Sequence, residues 1–146
     1  MNGERTRDRL GLARPLVNGA VRIGVRLGIV PRRFHLLTVR GRKSGQLRST
    51  PIIVLTHGGH RWLVAPYGER EWVKNARAAG RVTLSRARRR ETLTVEEVGP
   101  LEAAPVLKHY LAETPITRPF FDVEPDAPLA DFVRAASRHP VFRLGP

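Results

Sequence analysis

Cysteine is absent from this chain, which excludes disulfides, thiolate metal sites and a cysteine nucleophile. Acid is missing from much of it as well: no aspartate or glutamate lies between Asp8 and Glu69. Lysine occurs only as Lys43, Lys74 and Lys108, so nearly all the positive charge is arginine. Long apolar runs are also lacking. Arg14, Arg22 and Arg26 interrupt the longest one well short of the about 20 residues that cross a bilayer. No small-residue cleavage site follows it, and Arg32-Arg33 comes after the run, the wrong order for an export signal. The absent motifs narrow the chemistry further. There is no G-x-x-x-x-G-K-[ST] phosphate loop, no G-x-S-x-G nucleophile elbow and no H-E-x-x-H zinc helix.

What is present fits one globular domain. The 146 residues are 41% hydrophobic without a low-complexity block, enough for one core and too few for two enzymatic domains. Residues 1–11 are polar and expected to be a flexible N-terminus, with a single domain over 12–146. The formal net charge of +13 is unevenly placed. The acid-free stretch carries Arg22, Arg40, Arg42, Lys43, Arg48 and Arg61 among its cations, whereas Glu91 to Asp131 holds most of the acids. Its partner should therefore be anionic: a phosphate-bearing cofactor, nucleic acid or an acidic membrane surface.

Periodicity predicts an amphipathic helix from Leu12 to Val30, ended by Pro31. Runs dense in β-branched and aromatic residues predict strands at Phe34–Arg40, Arg48–His57, His60–Pro66, Val82–Ala87 and Glu91–Val98, with a last one at Pro140–Leu144. Helices are expected at Glu69–Ala79, at Pro100–Glu113 with proline in the first turn, and at Leu129–Ser137. A proline-rich loop, 114–128, carries Phe120 and Phe121. About six mostly antiparallel strands with covered edges must curl. The fold expected is α+β, a split β-barrel with flanking helices.

Two segments are candidates for chemistry. In Gly41-Arg42-Lys43-Ser44-Gly45-Gln46-Leu47-Arg48-Ser49-Thr50-Pro51, glycines free the backbone to point several N–H groups at one spot, and Lys43 and Arg48 add full charges. This is an anion cradle or, equally, a solvated basic hairpin. In Ala65 to Asn75, a strand ends at Pro66 and a turn follows. Trp72, Asn75 and Ala79 then share a helix face. Trp72 either closes over a flat ring or packs in the core. His57 and His60 flank a Gly-Gly turn with no third ligand nearby, so no metal is expected. Tyr67, and from the C-terminal half Tyr110, are able to donate a proton.

The runs LLTVRGRKSGQLRSTPI, HRWLVAPYGEREWVKNARAAGRVTL and HPVFRL resemble the deazaflavin (F420)-dependent nitroreductase family, from about Leu36 to Leu144. The most specific part is G-R-K-S-G-x-x-R-x-T-P followed by W-x-x-N. The resemblance implies a split β-barrel holding coenzyme F420, whose phosphodiester and oligoglutamate tail are anionic. It further implies hydride transfer to a quinone or nitroaromatic-type acceptor. Lys43 and Arg48 would hold the phosphate and tail, and Arg42 and Ser44 of the same run are expected to bind the cofactor with them. Ser49, Thr50 and Pro51 would line the approach to the ring. Ala65, Pro66, Tyr67 and Gly68 would border it, and Trp72 and Asn75 would keep helix and cofactor in register. Tyr67 is the candidate catalytic residue, with solvent as the other proton source. Members often show Ser-Lys-Gly-Gly or Ser-Tyr-Gly-Gly where this chain has Pro66-Tyr67-Gly68-Glu69, which removes a serine hydroxyl from any proton relay. The loop before Trp72 is also shorter than in many relatives.

The resemblance leaves the N-terminal helix two uses: packing on the barrel or lying on a membrane surface. A cytoplasmic monomer or homodimer is expected, with that peripheral contact open. Three rivals remain, namely a fatty-acid or lipid carrier on the same barrel, an FMN-binding reductase, and a nucleic-acid binder. The strands lack the basic–aromatic interleaving of an RNA-reading sheet, so no nucleic-acid partner is expected.

Overall fold

Alternating apolar residues in the central segments build a barrel whose inner face they fill. The computed structural model of the chain describes residues 19–25, 28 and 31–146. Residues 19–25 are helical (α1). There follow β1 (Phe34–Arg40), β2 (Leu47–His57), β3 (His60–Val64), α2 (Glu71–Ala79), β4 (Arg81–Arg86), β5 (Arg89–Glu97), α3 (Pro100–Glu113), a 3-10 turn (Pro115–Phe120), α4 (Leu129–Ala135) and β6 (Val141–Gly145). The strands hydrogen-bond in the ring order β1-β2-β3-β6-β5-β4, and β1 pairs with β4 to complete it. Every pairing is antiparallel. Closure gives every strand two hydrogen-bonded neighbours, β2 meeting its second one, β3, only from Val54 to His57. The expected α+β barrel of six strands is therefore the fold, with its hydrogen-bonded ring complete.

Register sorts the side chains into two cores. Leu37, Val39, Ile52, Val54, Leu63, Val82, Leu84, Leu93, Phe142 and Leu144 fill the barrel. The alternate positions Leu55, Trp62, Val64 and Val141 face outward, where α3 and α4 cover them with Leu107, Tyr110, Leu111 and Phe132. Trp62 keeps its indole N–H satisfied by donating to the His57 carbonyl at 2.9 Å.

Antiparallel connections divide the chain between two barrel ends. One end gathers the β1–β2 hairpin, the segment after β3, α2 and the start of β6. The other gathers the start of β1, the β2–β3 turn and the β4–β5 turn. Val73 and Ala76 of α2 join the interior cluster and plug the first end.

The helix expected from Leu12 to Val30, like the flexible segment 1–11, lies largely outside the described residues. Where it is described it stops early. Gly28 is in the left-handed region at φ 70° and its N–H meets the Val25 carbonyl at 3.1 Å, a glycine stop that acts before Pro31 is reached. The helix expected from Glu69 begins at Glu71 instead, because Glu69 turns back to pair with Arg77 at 2.8 Å. The loop at 114–128 contains the 3-10 turn.

Candidate functional site

The β1–β2 hairpin is built to be rigid. Gly41 N–H donates to the Gln46 carbonyl at 2.8 Å and Gly45 N–H to the Gly41 carbonyl at 2.9 Å. Gln46 N–H reaches the Ser44 hydroxyl at 3.2 Å. A Cβ on Gly41 would lie 2.9 Å from Ser44 Oγ and 3.2 Å from the Gln46 carbonyl oxygen, so a larger residue there would crowd the turn. Gly45, at φ 71°, is the only hairpin glycine in the left-handed region. These bonds narrow the amide-cradle expectation. The N–H groups of Gly41, Arg42, Gly45 and Gln46 are all consumed inside the protein, leaving side-chain cations as the main anion donors.

Arg42 and Asn75 lock this hairpin to α2. Asn75 is buried, and its Oδ1 accepts from the Arg42 backbone N–H at 3.1 Å and from its guanidinium at 2.9 Å. The same guanidinium bonds Glu71 Oε2 at 2.8 Å. That contact holds the Glu71 carboxyl below the usual carboxylate range. Arg42, expected among the cofactor-binding residues, thus ties the hairpin to α2 through both its backbone and its side chain. Lys43, Ser44 and Arg48 are exposed, and neither cation has an ion-pair partner among the described residues.

Along β2, Ser49 Oγ pairs with Thr38 Oγ1 at 2.8 Å, and Arg22 of α1 donates to the Ser49 carbonyl. Thr50 and Pro51 are half-buried opposite Leu37 and Leu36. The hairpin, Ala65 to Gly68, and Trp72 and Asn75 all lie at the plugged barrel end. The structure therefore brings together the two segments that sequence singled out separately.

After β3 the backbone is pinned from both sides. Ala65 N–H donates to the Pro140 carbonyl at 2.9 Å, and the buried His139 donates from Nδ1 to the Ala65 carbonyl at 3.2 Å. Since a carbonyl only accepts, Nδ1 carries the proton. Burial pushes the His139 pKa down, so the ring is neutral near pH 7. Its plane stacks on Phe121 at 3.9 Å. Gly68, at φ 84°, closes the turn. Tyr67 stays 41% exposed and meets Phe120, itself 43% exposed, edge to face at 4.7 Å. That pair offers a half-open aromatic surface beside the hairpin end.

Trp72 is partly buried against the barrel interior, its ring 5.9 Å from Phe142. Packing is thus its main role, with part of the ring left open. The face expected to unite Trp72, Asn75 and Ala79 is corrected: Val73, Asn75 and Ala76 are buried and Ala79 is exposed. Tyr110 is 3% exposed, and burial pushes its phenol well above the usual range beside Thr117. It belongs to the outer core and not to a reacting surface. Sequence reasoning named Phe120, Phe121 and, within the terminal run, His139, but gave none of them a role. The terminal HPVFRL run contained the signal, since a histidine just before a strand sits at a barrel end.

Two concavities among the described residues lie away from the hairpin. One, of about 610 Å³, is bounded by Asp122, Asp131, Arg134 and His139. The other, of about 1050 Å³, opens at the opposite end of the barrel. The hairpin cations stand on an open surface.

The fold is a split β-barrel shared with solved proteins of low sequence identity. An F420-H2 dependent reductase (FDR-A) is 23% identical, with 79% of this chain and 96% of that one covered at a TM-score of 0.55. A chain described as a domain-swapped dimer is 18% identical over 99% of both, also at 0.55. A NimC/NimA family protein from Clostridium acetobutylicum is 15% identical over 85% and 76%, at 0.53. No curated protein matches the chain. The family model of F420H(2)-dependent quinone reductase matches residues 12–116. The chain belongs to that family, and with it to the F420-dependent oxidoreductases.

Proposed function

We propose that the protein is an F420H2-dependent reductase acting on a quinone or nitroaromatic-type acceptor, with its cofactor at the plugged barrel end. One observation carries the reading. Lys43 and Arg48 extend from a braced hairpin without an ion-pair partner among the described residues, at the same barrel end as the half-open Tyr67–Phe120 pair. This donor set fits a coenzyme with an anionic tail and a flat ring, since arginine and lysine hold phosphate and carboxylate while aromatic faces hold rings. When bound, reduced F420 supplies a hydride. Lys43 and Arg48 hold the tail, and Ser44 adds a hydroxyl. Arg42, Asn75 and Glu71 fix the hairpin that carries them. His139 fixes the Ala65 carbonyl, and through it the turn that presents Tyr67. Ser49, Thr50 and Pro51 border the approach, and Trp72 closes the barrel interior against water. Tyr67 offers its hydroxyl proton to the reduced acceptor. FMN is the competing cofactor.

Anaerobic oxidation of F420H2 by a quinone and, separately, by a nitroaromatic tests the reading. The wild type is expected to turn over at least one of them. Tyr67→Phe is expected to lower kcat about a hundredfold, the size of a lost general acid, with F420 affinity nearly unchanged. An unchanged kcat would assign the proton to solvent. Reduction supported by FMN and not by F420 would overturn the cofactor assignment. Residues 12–146 act in this reading as one cofactor-binding domain, in a cytoplasmic monomer or homodimer, and the domain-swapped relative favours the dimer. Sedimentation equilibrium distinguishes the two.

A further inference from the structure

The barrel is plugged at one end by α2, which supplies the only helix side chains of the interior cluster among the described residues. Strand register sends His35, Arg61, Arg86, Arg89 and Glu91 inward at the opposite mouth, above Leu84. These residues line the cleft of about 1050 Å³, whose rim also takes Arg32, Arg88 and Arg90. The lining thus holds six arginines against one carboxylate.

That carboxylate is already engaged: Glu91 accepts both Arg61 nitrogens, at 2.9 and 3.0 Å. Arg86 is held in place by the carbonyls of Pro31, Phe34 and Gly28 at 2.8, 2.9 and 3.3 Å. Arg32, Arg88, Arg89 and Arg90 have no ion-pair partner among the described residues. Outside the described residues the sequence holds two acids, Glu4 and Asp8, in a stretch that also contains Arg5, Arg7, Arg9 and Arg14.

A concave wall of one charge sign focuses its field outward and concentrates anions. Guanidinium forks match phosphoryl oxygens two at a time, and the mouth of a small barrel is a common ligand position. His35 adds a local reporter. Its Nδ1 lies 3.3 Å from the Arg33 carbonyl, and burial, with Arg86 and Arg61 nearby, keeps the ring below its usual pKa.

The geometry points to a second binding site in this arginine-lined mouth, for a small anion carrying two or more phosphoryl charges, at the barrel end opposite the cofactor. Titrating the full chain with inorganic pyrophosphate at low salt, by calorimetry, tests it. Binding is expected in the wild type. Arg88→Gln with Arg89→Gln should weaken it about tenfold or more. Arg70→Gln with Arg81→Gln removes the same charge at the other barrel end and should change it less than about twofold. The His35 ring should titrate at higher pH once pyrophosphate is bound. Displacement of pyrophosphate by phosphatidic acid vesicles, whose phosphomonoester headgroup carries up to two charges, and not by phosphatidylcholine vesicles, would assign the phosphoryl group to a lipid headgroup. Failure of both to displace it would assign it to a soluble phosphate ester. Equal losses in the two double variants, an unmoved His35, or tight duplex DNA binding without pyrophosphate binding would overturn the site.

Discussion

Asn75 faces the hairpin from α2 with its amide buried, and its two contacts with Arg42 are the tie between the two halves of the proposed site. Asn75→Ala leaves the partly buried Arg42 backbone N–H without its acceptor, which should cost about 1 kcal/mol. A lowered midpoint in urea unfolding, together with weaker F420 binding, is the expected result. Thr114 presents the opposite case. Its hydroxyl is buried with no partner among the described residues, so Thr114→Val should be neutral or stabilising by about 1 kcal/mol, read by thermal melting. His139 gives the fold a pH dependence. Its native pKa lies below the ordinary 6.5, so above that value folded and unfolded forms are both neutral and no stability depends on it. As pH falls below 6.5 the unfolded chain takes up a proton first and stability drops, until the native pKa is passed. His139→Phe should flatten the stability–pH curve on the acid side of 6.5. Residues of this kind differ in how legible they were. Lys43 and Arg48 announced themselves through charge beside turn glycines, a local signal. The partner of His139 lies 74 residues away, and no local pattern reports such a pairing.

The hairpins and α3 were legible element by element, because turn residues and β-branched runs are local properties. Pro100 at the first turn of α3 is one such signal, and the span Pro100–Glu113 came out as expected. The exposed and buried faces of α2 were less so. Trp72, Asn75 and Ala79 share spacing, yet the barrel interior takes Val73 and Ala76, since what a capping helix buries is set by the opening beneath it. The end of α2 is set locally. Gly80 adopts φ 67° and donates to the Ala76 carbonyl at 2.8 Å. Gly80→Ala would force a side chain into the left-handed region and should destabilise by about 1 kcal/mol, measured by thermal unfolding. The early stop of the helix at Gly28 follows the same rule and was obscured by the more conspicuous Pro31.

At the scale of the whole molecule, the strand order is what sequence could not supply. The closing β1–β4 pairing and the insertion of β6 between β3 and β5 depend on side chains far apart in the chain. Barrel class followed from the number of strands and the need to cover their edges, whereas the assignment of residues to one barrel end or the other did not. That assignment gives the uneven charge its meaning: the hairpin cations collect at the plugged end and the arginine-lined mouth lies at the other. The account rests on Lys43 and Arg48 holding an anionic, ring-bearing coenzyme. Equilibrium titration of the protein with F420, comparing wild type with Lys43→Ala/Arg48→Ala, tests this most directly. Each charge-assisted bond contributes about 1.5–3 kcal/mol, so the double variant should bind at least about a hundredfold more weakly while melting at the wild-type temperature. An equal dissociation constant in the two proteins would contradict it.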